Sequence, residues 1–115
     1  MATKKKSAIP AEKLDLYQKL LATNAEIDRK GDVHPYTSVN GHMFTYLDQT
    51  GTLGIRLAPD QVDPFLKKYK TKMFESYGVV EKDWVAVPDS LLKDTKELQK
   101  YLDASYTFTK SLKPK

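Results

Sequence analysis

The stretch that decides the fold is Tyr36-Thr-Ser-Val39, Asn40-Gly41, His42-Met-Phe-Thr-Tyr-Leu47, Asp48-Gln-Thr-Gly51 and Thr52-Leu53-Gly-Ile-Arg-Leu57. Two β-rich runs are separated by Asn-Gly, the pair that best tolerates the two positive φ angles of a type I′ turn, so they read as a β-hairpin. The segment Asp48 to Gly51 then reads as a type I turn with Gly51 in the left-handed position, which adds Leu53–Leu57 as a third antiparallel strand. Two registers are open for this second hairpin. With a bulge at Gly51, Leu53, Ile55 and Leu57 share a face with Leu47, Thr45 and Met43, and Phe44, Tyr46 and Arg56 occupy the other. A two-residue loop would instead put Phe44 and Tyr46 in the core with the leucines.

Helical periodicity flanks this meander. Pro10 suits a first helical turn, and Leu14, Tyr17, Leu20, Leu21 and Ala25 recur at helical spacing, which predicts a helix over about 10 to 25. After the strands, Asp63-Pro64 reads as an N-cap and first-turn proline for a short helix with Phe65, Leu66 and Tyr69 on its apolar side. The segments from Met73 to Val80, interrupted by Gly78, and from Trp84 to Val87 predict two further strands. Asp94 with Glu97 three residues on is a capping-box pattern, and Leu98, Tyr101, Leu102, Ser105, Phe108 and Leu112 predict a final amphipathic helix over about 95 to 112. The expected fold is therefore α+β: one two-layer domain over 10–112, an antiparallel sheet packed with N-terminal, short middle and C-terminal helices, between basic tails at 1–9 and 113–115.

The 115 residues suffice for one core, and without cysteine there can be no disulfide, thiolate zinc site or cysteine nucleophile. The run Met1-Ala-Thr-Lys-Lys-Lys is followed by no apolar segment of signal or membrane-span length, so a cytoplasmic location without membrane attachment is expected. The formal charge is +4, but without Lys4, Lys5, Lys6, Lys113 and Lys115 it would be −1. The basicity belongs to the tails, where it reads first as solubilising charge.

Catalytic motifs are missing. His34 and His42 match no metal-ligand spacing, no nucleophile elbow exists, and the five glycines form no phosphate-binding loop. No enzyme activity and no cofactor or metal site are expected. One constellation carries a functional reading: Phe44, Tyr46 and Arg56, with Tyr36, His42 and Trp84 nearby, as candidate partner-binding residues. Aromatics beside a cation on an open sheet face can stack nucleic-acid bases or anchor a protein. The competing reading is that a helix covers this face and the aromatics are core.

The order of these segments resembles that of the TfoX N-terminal domain family. The resemblance is carried by Tyr36-Thr-Ser-Val-Asn-Gly-His-Met-Phe44, Gly51-Thr-Leu-Gly-Ile-Arg-Leu57, Trp84-Val-Ala-Val-Pro-Asp89 and Leu102-Asp-Ala-Ser-Tyr-Thr-Phe-Thr-Lys-Ser-Leu-Lys-Pro-Lys115; the last helix is also similar to YjbR-like proteins. It covers roughly residues 11 to 115. The resemblance implies an antiparallel sheet flanked by helices and a bacterial, non-enzymatic binding role connected with transcription regulation, through a protein or DNA partner. The regulator's second, C-terminal domain has no counterpart before Lys115, so the domain is expected to stand alone. His34-Pro-Tyr-Thr-Ser occupies the place of a Lys-Met-Phe-Gly-Gly type segment. The alternatives are a small ligand-binding protein or enzyme with a pocket between sheet and helices, and a self-associating structural domain.

Overall fold

The structure is a computed structural model that describes residues 9–31, 35–76 and 79–114. Helix α1 (Ala11–Leu21) precedes strands β1 (Tyr36–Val39), β2 (His42–Leu47) and β3 (Leu53–Arg56). Helix α2 (Pro59–Tyr69), strands β4 (Met73–Ser76) and β5 (Val79–Val87), a single-turn helix α3 (Asp89–Leu92) and helix α4 (Thr95–Lys110) complete the chain. All strand pairings are antiparallel, in the order β1-β2-β3-β5-β4. The fold is the expected α+β domain. Of the N-terminal tail only Ile9 is described, and its side chain is buried in the core; residues 1–8, His34 and Gly78 lie outside the described residues.

The turns follow the glycine logic of the sequence. Asn40 and Gly41 have φ of 57° and 81°, as a type I′ turn requires, and Gly51 sits at 88°. The second hairpin takes the bulged register, pairing Thr45 with Ile55 and Leu47 with Leu53. One expectation about it is corrected. Along the first hairpin Thr37 faces Thr45 while Ser38 faces Met43, so Phe44 is an extra residue on β2. This β-bulge turns Phe44 to the same side as Thr45, and both are fully buried. Met43, expected on the core face, is instead 39 % exposed.

Element ends differ where side chains compete for backbone groups. Helix α1 stops four residues before the expected end. Thr23 Oγ1 donates to the Leu20 carbonyl and the Asn24 side chain accepts from the Glu26 N–H, both of which favour a turn over continued helix. Helix α2 begins at Pro59 and not near Pro64; Pro59 occupies the first turn and Pro64 lies inside the helix. The solvent-exposed position of Pro64 lets the lost backbone bond be replaced by water. The Asp94 carboxylate caps α4 by accepting from the Glu97 N–H, and α4 ends two residues short of the expected bound.

One core joins all four helices to one face of the sheet. Tyr17 and Leu20 of α1, Val62 and Phe65 of α2, Leu91 and Leu92 of α3, and Leu98 and Leu102 of α4 pack in the same cluster as Leu47, Leu53, Ile55, Val85 and Val87. Alternation along the strands therefore sends Tyr46, Gly54 and Ala86 to the second face. There the Phe74 ring of edge strand β4 lies across the small residues Ala86 and Gly54; a Cβ on Gly54 would stand 2.6 Å from Phe74 ring carbons. Gly54→Ala is accordingly expected to destabilise the domain by about 1–3 kcal/mol through overpacking. Chemical denaturation of the variant measures this, and an unchanged midpoint would mean that Phe74 does not lie over β3.

Candidate functional site: the second face of the sheet

Phe74 is 2 % exposed although it lies apart from the main core, because its neighbours on the second face enclose it. Its ring centroid is 6.1 Å from that of Tyr46, edge on, and 6.0 Å from that of Trp84. Tyr36 is paired across the ladder with Tyr46, and Arg56 with Trp84. Residues opposite each other in a ladder point to the same side. The second face thus carries Tyr36, Tyr46, Phe74 and Trp84 in a row across the sheet, with Arg56 at the end of β3. Tyr36, Tyr46, Trp84 and Arg56 are all half-buried; the buried apolar residues of the four helices belong to the core on the first face.

Arg56 stands at the rim where this face meets the end of α4. Its guanidinium carbon is 5.9 Å from the centroid of the Phe108 ring. Its Nε is buried without a hydrogen-bond partner, and among the described residues it makes no ion pair. The Phe108 ring offsets part of the loss of water around this cation.

Of the six residues singled out in the sequence, the structure brings four together on the second face: Tyr36, Tyr46, Arg56 and Trp84. The other two serve the fold. Phe44 is in the first-face core, where its ring lies 5.7 Å from that of Tyr106. His42 fastens the end of α4: its Nε2 is 2.8 Å from the Lys113 carbonyl, which can only accept, so Nε2 carries the hydrogen. Asn40 beside it donates to the Lys110 carbonyl, so the tight turn caps the C-terminus of the last helix. Phe74 was missed by sequence reasoning. The signal for it was Gly54, since a glycine inside a strand marks a close approach by another group.

A second polar cluster lies on the helix side. Tyr69 of α2 donates its hydroxyl to Glu97 of α4 at 2.7 Å, and its oxygen is 3.0 Å from that of Tyr101. Lys68 and Lys100 approach the same carboxylate at 3.4 and 3.3 Å. The Tyr69 hydroxyl bond, then Lys100 and Lys68, lower the Glu97 pKa from 4.5 to about 2. The Tyr69 pKa is pushed up, by burial first and then by its bonds to Tyr101 and Glu97. Tyr101 packs edge to face against both Phe65 and Tyr69, which are tilted against each other, so the group reads as a polar clasp between two helices.

The pH consequence follows from the direction of that shift. A carboxylate with a depressed folded-state pKa adds stability that is fully present above 4.5 and is lost as pH falls toward about 2. The stability difference between the wild type and Glu97→Gln, which keeps the shape without the charge, is expected to shrink across that window. Thermal melts from pH 6 to pH 2 measure it, and a difference independent of pH would place the charge of Glu97 outside the clasp.

Among the described residues no three His, Asp or Glu side chains gather as a metal ion would need. None of the described helices is long and apolar enough to cross a membrane. Comparison with protein-family models, with curated proteins and with solved structures found no match.

Proposed function

We propose that this chain is a binding domain without catalytic function, of the kind its resemblance to the TfoX N-terminal domain family implies, and that it docks a protein partner on the second face of the sheet. The observation that carries the reading is the half-buried row Tyr36, Tyr46 and Trp84, the last two packed against Phe74, on the face opposite the core that the helices share. Trp, Tyr, Arg and Met are the residue types that anchor protein interfaces, and Met43 is exposed next to the β1–β2 turn. Charge favours a protein over a nucleic acid. The chain without its five tail lysines has a formal charge of −1, whereas the hold on a phosphate backbone comes from a basic surface. The resemblance connects such a partner with transcription regulation.

Site-specific photo-crosslinking in the cell that makes the chain tests this. A benzophenone side chain placed at Met43 is expected to trap one discrete protein, and the same group at Gln61, exposed on α2, is expected not to trap it. Trapping of nucleic acid at Met43, or the same products from both positions, would overturn the reading.

A further inference from the structure

We infer that the partner is an acidic peptide segment, and that Arg56 is the anchor for one of its carboxylates while Trp84 and Tyr46 take the neighbouring apolar side chain. The inference rests on the protein-docking reading and adds the chemistry of the occupant. Arg56 is the starting point because it is a cation in an unusual position. It is largely covered, its Nε is shielded from water without a hydrogen-bond partner, and no carboxylate of the described residues pairs with it. Nε is enclosed beside the Phe108 ring, and the two Nη groups, which are not among the enclosed unpartnered atoms, are the donors that a ligand can reach. The ligand group that matches a planar fork of N–H donors is a carboxylate, held by two parallel charge-assisted bonds.

The surroundings fix what accompanies the carboxylate. Trp84 lies directly across the ladder from Arg56, and Phe74 joins it to Tyr46. An apolar side chain placed within a residue or two of the acid would therefore land on the aromatic row. Lys30 lies beside β1, two strands away from Arg56, and donates to Ser38 Oγ at the other end of the row. A phosphate would also suit one guanidinium. A nucleic-acid strand, however, needs several cations in succession, and Arg56 stands alone at the end of this row.

Selection of a random twelve-residue peptide display library on the full chain tests the inference. Enriched peptides are expected to carry Asp or Glu within two residues of an aromatic or large aliphatic side chain. Arg56→Gln is expected to weaken a selected peptide by roughly tenfold or more, with Arg56→Lys intermediate; Trp84→Ala is expected to weaken it as well. A Glu→Gln change in the peptide should have no further effect on the Arg56→Gln chain, which separates pairing from a general change in the surface. Peptides without acidic enrichment, or binding that Trp84→Ala reduces and Arg56→Gln does not, would overturn the acidic anchor and leave the docking face standing. Selected binding indifferent to Trp84→Ala, no selectable peptide, or preferential binding of a twelve-residue oligothymidylate would overturn both.

Discussion

Phe44→Ala is expected to destabilise the domain by about 3–5 kcal/mol, the range for removing a large aromatic side chain from a packed core. That is a large part of the total stability of an ordinary domain, about 5–15 kcal/mol. The burial of Phe44 depends on one local feature. In a regular β2 ladder Phe44 would alternate away from Thr45 and lie on the second face with Tyr46. The bulge between Thr37 and Ser38 on the partner strand inserts Phe44 as an extra residue and turns it inward, fully buried against Tyr106 of α4. Urea denaturation distinguishes the two arrangements. A cost below about 1 kcal/mol is what a surface position would show, and it would mean that β2 runs without the bulge.

Thr45→Val is expected to cost about 1–3 kcal/mol although it preserves volume and strand propensity, because it removes the partner that two buried hydroxyls share. Thr45 Oγ1 is the centre of a buried chain, 2.8 Å from the Tyr17 hydroxyl on α1 and 2.6 Å from Thr37 Oγ1 on β1. All three residues have no exposed surface. Burial pushes the Tyr17 pKa up, against the smaller lowering by its bond to Thr45, so the hydroxyl stays neutral and needs a partner throughout the usual pH range. The chain of hydroxyls ties the first helix to both strands of the first hairpin. A double-mutant cycle measures it: Tyr17→Phe is expected to cost less in the Thr45→Val background than alone. Strict additivity of the two changes would show that the bond contributes nothing to stability.

How far the sequence specified this structure depends on whether a feature is local. The two hairpin turns were legible because Asn40, Gly41 and Gly51 take positive φ angles that few other residues adopt. The helices at both ends were legible from their apolar spacing, with errors of a few residues at their ends. Helix α3 is a single turn and carries too little periodicity to stand out. The start of α2 was misplaced because two prolines, Pro59 and Pro64, offer the same first-turn signal and only packing chooses between them.

The candidate site was legible to the same extent. Tyr36, Tyr46, Arg56 and Trp84 fall on one face by strand alternation and pairing alone. The Gly51 register by itself puts Phe44 on that face too, the alternative register puts it in the core, and the structure combines the first register with a buried Phe44 because a bulge in the first hairpin shifts the alternation. His42 looked available beside its turn, yet its partner is a carbonyl 71 positions away. Phe74 could be placed only once β4 was known to be the edge strand, two strands away from the glycine its ring covers.

Trp84 is the only tryptophan in the chain, so its fluorescence reports on the second face without labelling. Acrylamide quenching in the free chain and in the presence of a display-selected peptide tests the central claim most directly. Ready quenching in the free chain, falling when the peptide is bound and accompanied by a shift of the emission to shorter wavelength, is the predicted result. Quenching that the bound peptide leaves unchanged, or an indole already shielded in the free chain, would contradict it and place the partner elsewhere on the molecule.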